Sequence, residues 1–483
     1  MEWFAASDYW LSRLLIERGL GLIYLLAFVQ ALYEFPALLG ERGLLPVPVY
    51  LRTARFRKAP SLFQLAYSDR LLRIVATTGA VLAGAVLLGL SQRAPLALTM
   101  LVWFVLWALY LSIVNVGQRF YSFGWESLLL EAGFLAIFLG NVETAPPIAV
   151  LWLFRWLTFR VEFGAGLIKL RGDPCWRDLT CMYYHHETQP MPNPLSWYFH
   201  HVPGPIHRFE VLGNYVAQLA APVMLFLPQP IAGVGALVMI ATQGFLMVSG
   251  NYAWLNFITM VIAASALPDS FIHAVVPGLG APAGAAEAPV WFSSLVLGLV
   301  LFVLALSYRP VLNLISSRQL MNFSFNKYHL VNTYGAFGSV TRVRHEVVVE
   351  GTDQAVLTAS TEWRAYEFRG KPGALDRRPP QVAPFHLRLD WLMWFAALRR
   401  SFAEDWFPPL LGKLLEGDRA TLRLLRLNPF PDAPPAWVRA RYYRYRFTTP
   451  EERQASGAWW VRELEGEYAP AVRLARPAAV EAA

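Results

Sequence analysis

Long apolar runs recur through the first two thirds of the chain, and they constrain its fold more than any other feature. A helix needs about 20 apolar residues to cross roughly 30 Å of hydrocarbon, and runs of this kind stop near Tyr308. The predicted spans lie near Gly19–Leu39, Ile74–Leu90, Leu96–Val116, Ser127–Gly140, Ile148–Leu170, Val211–Leu227, Ile231–Ser249, Tyr252–Leu267 and Val290–Ser307. The pattern predicts an α-helical multi-pass membrane domain of about nine spans.

Composition agrees with an integral membrane protein. The chain is 55% hydrophobic and 16% charged, whereas soluble domains carry about 25% charged residues. Met1 to Arg18 contains acidic as well as basic residues, and no small-residue cleavage site follows the first apolar run. We therefore expect the first span to be a retained anchor.

A second domain is predicted from about Arg309, where the sequence becomes rich in Arg, Glu and Pro. "SVTRVRHEVVVEGTD" and "ARYYRYRFTTP" alternate polar with β-branched or aromatic residues, which is typical of half-buried strands. "LRLDWLMWFAALRR" has helical spacing, and its apolar face has Leu389, Leu392, Trp394, Phe395 and Leu398 available. The predicted organisation is a membrane domain over residues 1–308 and a small β-rich soluble domain over residues 309–483.

The net charge of +8 does not indicate a nucleic-acid partner. More than half of the 42 Lys and Arg residues follow Tyr308, where they alternate with acids and aromatics, and no DNA- or RNA-binding motif accompanies them. A solvated surface of mixed charge explains the basic residues, and the lipid bilayer is the partner that the sequence predicts directly.

Three hydrophilic connections interrupt the membrane domain. The longest, residues 171–210, has the length at which loops are often functional. The connection Gly40–Arg73 is basic and is expected to be cytoplasmic by the positive-inside bias; its basic residues are Arg42, Arg52, Arg55, Arg57, Lys58, Arg70 and Arg73. The connection Pro268–Pro289 has no Lys or Arg, which favours the opposite side.

The apolar segment before the long connection carries Arg155, Arg160, Glu162 and Lys169. Charges at membrane depth cost from about 2.5 kcal/mol upward each, so they face a protein interior or a wet cavity. Arg155 and Glu162 lie seven residues apart, on one helix face. The charges indicate either a polar pocket or catalytic cavity, or a structural ion network, and the sequence leaves both open.

Both cysteines of the chain, Cys175 and Cys181, lie at the start of the long connection. Their C-x₅-C spacing is neither the C-x-x-C of thiol oxidoreductases nor a paired zinc motif. Zinc binding with His185 and His186 is disfavoured, because neighbouring residues of a strand point to opposite faces. A local disulfide is favoured if the connection faces an oxidising compartment, and the sequence predicts no metal site.

Histidines are concentrated in the same connection: His185, His186, His200, His201 and His207. Their pKa range suits acid–base chemistry or pH sensing, and Glu187 beside the first pair is the candidate acid–base partner. Interfacial side chains that cap the spans are the alternative interpretation. The sequence has no Gly-rich phosphate loop, nucleophile elbow or H-E-x-x-H motif, so no cofactor is predicted.

Several long segments of unusual composition carry a family resemblance. "GDPCWRDLTCMYYHHETQPMPNPLSWYFHH", "FYSFGWESLLLEAGFLAIFL", "RWLTFRVEFGAGLIKLRGD" and "LLRLNPFPDAPPAWVRARYYRYRFT" strongly resemble the lipase maturation factor family. Shorter matches are "RVRHEVVVEGTD", "YEFRGKPG" and "RLDWLMWFAAL". The resemblance runs from about Tyr9 to Thr449. More distantly, the membrane part resembles the transmembrane domain of the vitamin K-dependent carboxylase, with no catalytic residue carried over.

The resemblance implies a multi-pass membrane protein that helps certain dimeric secreted lipases fold and assemble, with a C-terminal domain that binds the client. Eukaryotic members are implied to lie in the endoplasmic reticulum membrane. The Ala-, Arg- and Pro-rich usage resembles a bacterial member, for which the inner membrane is expected. The C-terminal domain would then face the periplasm, which conflicts with the basic Gly40–Arg73 connection if the two share a side.

Three functional hypotheses follow, in this order. The first is a non-enzymatic folding factor whose partner is a secreted lipase or another exported protein. The second is a membrane enzyme whose catalytic residues are Lys169, His185, Glu187, Glu162 and Arg155. The third is a thiol-redox role for Cys175 and Cys181.

Overall fold

The computed structural model describes residues 4–54, 59–278 and 286–475. Three basic residues of the predicted cytoplasmic connection, Arg55, Arg57 and Lys58, lie outside the described residues. The last residues of the predicted C-terminal domain, 476–483, also lie outside them.

The N-terminal part is helical up to the long connection. Its helices are α1 (Trp10–Leu38), α2 (Val47–Leu51), α3 (Asp69–Leu88), α4 (Leu96–Val116), α5 (Gly124–Ala136) and α6 (Ile148–Arg171). Helix α3 shows how local sequence sets these limits. The Ser68 side chain accepts from the Leu71 N–H at its start, and Gly89 ends it with a φ of 78°, a left-handed conformation that favours glycine.

The long connection contains helices rather than an extended chain. It comprises α7 (Pro174–Arg177), α8 (Met182–Thr188), α9 (Ser196–His200) and the first part of α10 (Gly204–Tyr215). Our assumption that His185 and His186 lie on a strand is wrong, because both belong to α8. Helices α8 and α9 are short because prolines follow each of them, and proline lacks the N–H that would extend a helix.

The remaining helices of the membrane part follow a single π-helical turn at Val216–Ala220. They are α11 (Ala221–Met224), α12 (Ile231–Ser249), α13 (Leu255–Ala263), α14 (Asp269–Val275) and α15 (Val290–Ile315).

Five helices within the described ranges are long and apolar enough to cross a membrane: Ser7–Leu38, Asp69–Leu88, Leu96–Val116, Ile231–Ser249 and Val290–Ile315. The predicted count of about nine is not supported. Helices α5 and α13 have 13 and 9 residues, which is shorter than a full span needs. Helix α6 is long enough but carries Arg155, Arg160, Glu162, Lys169 and Arg171.

The C-terminal part contains an antiparallel sheet, which confirms the predicted β-rich fold. Its elements are β1 (Arg344–Thr352), β2 (Arg364–Ala365), α16 (Arg388–Leu398), α17 (Phe407–Leu415), α18 (Arg419–Leu422), β3 (Trp437–Phe447), α19 (Pro450–Ser456) and β4 (Trp460–Val472). Within the described residues the strand order is β2-β1-β3-β4. The two alternating sequences lie on β1 and β3, which pair along their whole length.

Helix α16 forms where the spacing predicted it, but its buried face is broader than expected. Leu389 and Leu392 are buried, together with Trp391 and Met393, which we had not assigned to the face. Leu398 keeps 38% of its surface exposed. The helix packs against both β1 and the membrane part, so one apolar stripe does not describe its environment.

Backbone groups of the segment before α16 donate hydrogen bonds that link the C-terminal part to the membrane part. The backbone N–H of His386 donates to Oε1 of Gln30 on α1 at 3.1 Å. The N–H groups of Val382 and Ala383 donate to Oδ1 of Asn251 at 2.8 and 2.9 Å. The two parts therefore share an interface of buried polar contacts.

Candidate functional site

A cavity of about 850 Å³ lies where α6, α8, α10, α12 and α13 meet α16 of the C-terminal part. Such a volume is typical of small-molecule sites. Apolar side chains form most of the wall, and four titratable groups on it are Glu162, Lys169, His185 and Glu210. Three of the five predicted catalytic residues, which lie on two different helices, therefore line one cavity.

A glutamine links the two charged residues that α6 contributes. The Lys169 ammonium donates to Oε1 of Gln218 at 2.6 Å and to Oδ1 of Asn214 at 3.0 Å. The Gln218 amide donates in turn to the Glu162 carboxylate at 3.1 Å, and Gln243 donates to its other oxygen at 2.6 Å. The Gln218 amide thus separates the Lys169 ammonium from the Glu162 carboxylate on a buried wall of the cavity.

His185 reaches the same cavity from α8, and its hydrogen bonds define its tautomer. The Tyr252 hydroxyl donates to Oε1 of Gln189 at 2.6 Å, so it accepts the proton of His185 Nε2 at 2.9 Å. The Nδ1 atom is therefore the unprotonated nitrogen. Burial, followed by the nearby His186 and Lys169, lowers the pKa of His185 to about 3, so the ring is neutral at physiological pH.

The other two predicted catalytic residues lie away from the cavity. Glu187 accepts the Phe447 N–H of β3 at 2.7 Å, and burial raises the pKa of its carboxyl group. Arg155 donates to the Ser265 carbonyl at 3.2 Å and lies over the Trp152 ring at 4.8 Å. Arg155 and Glu162 share a helix but have different partners.

The charge at position 160 belongs to a structural ion pair. Arg160 pairs with Glu131 of α5, and its Nη1 also donates to the Asn332 carbonyl at 2.8 Å. The Tyr334 hydroxyl donates to the same carboxylate at 2.8 Å. The Arg160–Glu131 pair thus belongs to the packed helix core, whereas Lys169 and Glu162 line the cavity.

The C-terminal sheet holds the long connection from outside. The Arg344 guanidinium of β1 donates to the carbonyls of Glu187, Gln189 and Pro190 at 3.0, 2.5 and 3.1 Å. Its charge is balanced by Glu346 at 2.5 Å. Because these carbonyls lie in the last turn of α8 and directly after it, strand β1 helps to position the helix that carries His185.

Cys175 and Cys181 lie at the base of the connection with their Cα atoms 4.8 Å apart, a separation that a disulfide can bridge. Both are buried, together with Trp176 and Met182. Asp173 precedes them, and its hydrogen bond with Arg342 lowers the pKa of the Asp173 carboxyl group to about 2.

A cluster of His186, His207 and Glu210 adjoins the cavity, which Glu210 lines, and sequence reasoning did not identify it. The three potential ligand atoms lie within 4.8 Å of one another. Burial tends to raise the pKa of Glu210, but hydrogen bonds with His186 and His207 outweigh it and lower that pKa to about 2. The overlooked signal is the "HRFE" segment, because an i,i+3 spacing puts His207 and Glu210 on one helix face.

Two family models match the chain in succession. The model described as lipase maturation factor transmembrane domain matches residues 11–274. The model described as lipase maturation factor C-terminal domain matches residues 330–470.

Relatives are similar over nearly the whole chain. Lipase maturation factor 1 of Homo sapiens is 43% identical over 504 residues, which cover 97% of this chain and 89% of the relative. Lipase maturation factor 1 of Mus musculus is 41% identical over 507 residues, covering 97% and 88%. Lipase maturation factor 2 of Homo sapiens is 29% identical over 602 residues, covering 97% and 83%. No solved structure matches the chain.

Proposed function

Since this chain belongs to the lipase maturation factor family, we propose that it is a membrane-embedded factor that assists the folding and assembly of secreted lipases or similar exported clients. The observation that carries the proposal is the identity of 43% to a lipase maturation factor over 97% of the chain. The apolar helices make it a membrane protein. The membrane is the endoplasmic reticulum membrane in a eukaryotic source and the inner membrane in a bacterial one.

The C-terminal sheet is the proposed client-binding part, and strand β4 is its most suitable surface. This strand has 13 residues and forms one edge of the sheet, so its outer backbone groups are available to pair with an extended client segment. Glu463, Glu465 and Glu467 are charged residues of the kind that protects an edge from aggregation. Leu464 is 50% exposed and offers an apolar contact.

The test uses cells that lack their own lipase maturation factor and express a dimeric secreted lipase. Expression of this chain is expected to raise lipase activity per mass of secreted lipase several-fold. Leu464→Lys on the β4 edge is expected to reduce that gain. Val356→Lys, at a residue of the same part that is 73% exposed, is the matched control and is expected to retain it. Equal lipase activity with and without the chain would contradict the proposal.

A membrane enzyme is the second candidate function, and the convergence of Lys169, Glu162 and His185 on one cavity favours it. A neutral imidazole and a buried ammonium near an apolar volume suit acid–base chemistry on a lipid-soluble or peptide substrate. The amide of Gln218 keeps the carboxylate and the ammonium from direct contact, and both groups border the cavity.

The enzyme hypothesis is tested in the same cells with Lys169→Met and His185→Gln. Each is expected to abolish the lipase-maturation gain while the purified protein still unfolds cooperatively. Lys413→Met is the control, because Lys413 lies outside the cavity and pairs with Glu416 at 3.0 Å. Full lipase-maturation activity in a folded double variant of Lys169 and His185 rules the enzyme out and leaves the folding factor intact.

A further inference from the structure

The cluster of His186, His207 and Glu210 has the composition and the burial of a metal site. Helix α10 supplies His207 and Glu210, and α8 supplies His186 from across the connection. The side chains of the two histidines are 1% and 3% exposed, and that of Glu210 is 11% exposed. Two imidazoles and one carboxylate form a common ligand set for catalytic zinc.

Both ring nitrogens of His207 face oxygen acceptors, although a neutral imidazole carries only one proton. Its Nε2 faces the His200 carbonyl at 3.4 Å, an acceptor that calls for a proton on Nε2. In the neutral ring the Nδ1 atom then presents a lone pair to Oε2 of Glu210, only 2.8 Å away. Two facing lone pairs repel, so either a second proton or a cation lies between them.

His186 faces the same carboxylate from α8. Its Nε2 lies 3.3 and 3.5 Å from the two carboxylate oxygens of Glu210, which is long for an N–H···O hydrogen bond. Ligand atoms around a tetrahedral zinc ion, with bonds of about 2.0 to 2.1 Å, are separated by roughly 3.3 Å. The separation of His186 from the carboxylate fits two ligands that share an ion, and the other ring nitrogen of His186, Nδ1, is buried without a hydrogen-bond partner among the described residues.

Packing holds the two rings in the orientation that coordination requires. Tyr183 contacts the His207 ring edge to face, with ring centroids 5.3 Å apart, and Phe199 stacks on His186 at 5.5 Å. The backbone carbonyl behind His207 is the kind of outer partner that orients a metal-bound imidazole. Glu210 also lines the cavity, so a fourth position open to water or to a cavity ligand lies on that side.

We propose that His186, His207 and Glu210 bind one divalent transition-metal ion, with zinc as the best fit to the ligand set, at the wall of the cavity. The ion joins α8 to α10 and so stabilises the fold of the long connection. This site does not depend on the lipase role, because the three side chains alone define it.

The test measures metal in the full chain, purified in detergent with an affinity tag that contains no histidine. After dialysis against metal-free buffer, elemental analysis is expected to find about one equivalent of zinc per chain, as a single three-residue site requires. His207→Gln and Glu210→Gln are expected to lose it. His345→Gln is the matched control, because His345 lies 3.1 Å from Glu465 on the sheet surface, and it is expected to keep the ion.

Wild-type measurements keep the proposal testable if a variant fails to fold. Cobalt added to metal-free wild-type protein is expected to give the visible absorption of a four-coordinate site, and zinc is expected to raise the Tm relative to chelator. Wild-type protein without bound zinc and without these cobalt bands would overturn the proposal. Equal zinc content in the wild type, His207→Gln and Glu210→Gln would overturn it as well.

Discussion

Arg388 of the C-terminal part donates from Nη2 to Oε1 of Glu126 on α5 at 2.6 Å, across 262 positions of sequence. Both side chains are fully buried. Nη1 of Arg388 lies 3.3 Å from Glu34 on α1, and the guanidinium lies over the Tyr121 ring at 3.9 Å. Arg388 thus forms ion pairs with two buried carboxylates and connects α16 to the membrane helices.

Replacing this arginine is expected to destabilise the whole protein. Arg388→Met leaves Glu126 and Glu34 without their cation, and removal of one partner of a buried pair costs about 3 to 5 kcal/mol. Thermal unfolding in detergent measures the loss as a lower Tm. Arg399→Met, at the exposed end of the same helix, is expected to leave the Tm unchanged. Equal Tm values for the two variants would show that the buried pair contributes nothing.

Stability is expected to fall on mild acidification because of His329. Its ring accepts from the Ser127 hydroxyl at 3.0 Å, and its Nε2 donates to Oδ1 of Asn115 at 3.0 Å. Burial lowers the pKa of His329 to about 4, below the unfolded value of about 6.5. Between these values the unfolded chain binds more protons, so the free energy of unfolding decreases as the pH falls.

The size of this effect follows from the same two pKa values. Between pH 7 and pH 5, His329 alone is expected to reduce the free energy of unfolding by about 2 kcal/mol. Denaturant titrations of the wild type and of His329→Gln at pH 7 and pH 5 measure this decrease in the free energy of unfolding. The decrease is expected to be about 2 kcal/mol smaller in the variant. His273→Gln is the control. An unchanged pH dependence in His329→Gln would contradict the assignment.

Cys175 and Cys181 are expected to form a disulfide when the connection that carries them faces an oxidising compartment. A disulfide that closes so short a loop stabilises by about 2 to 3 kcal/mol. Reductant is therefore expected to lower the Tm of the wild type and to leave the Cys175→Ser, Cys181→Ser double variant unaffected. Mass spectrometry after alkylation without reductant checks the oxidation state directly, and two alkylated cysteines in the wild type would refute the pairing.

The basic connection after α1 and the C-terminal part are expected to lie on the same side of the membrane. The Tyr33 hydroxyl near the end of α1 donates to the Arg423 carbonyl at 2.7 Å. At the other end, the Leu11 N–H donates to Asp269 at 2.9 Å and Arg13 donates to the Thr144 carbonyl at 2.6 Å. The positive-inside bias predicts that the basic connection is cytoplasmic, whereas a client-binding C-terminal part must lie on the exported side. Since the two lie on the same side, only one of these predictions can be correct.

Cysteine labelling in the Cys175→Ser, Cys181→Ser background shows whether the C-terminal part is cytoplasmic or exported. A membrane-impermeant maleimide added from the exported side is expected to label Thr53→Cys and Ser456→Cys, and to miss Glu143→Cys. All three positions are exposed. Labelling of Glu143→Cys alone would place the C-terminal part in the cytoplasm and would exclude contact with an exported client.

Sequence alone determined the class of this protein, because hydropathy and alternation are local properties. Apolar runs indicated the membrane helices, period-two alternation located β1 and β3, and long motifs identified the family. The count of about nine spans is not supported, partly because apolar character alone does not reveal how short α5 and α13 are.

Only the tertiary structure decided which of the charged and polar residues act together. Lys169, Glu162 and His185 share a cavity, whereas Arg155 and Glu187 bind backbone groups elsewhere. His207 and Glu210 meet His186 although some twenty positions separate them. The physical reason is that burial requires each polar group to find a partner in space, and for most of these groups the partner lies far away in the sequence.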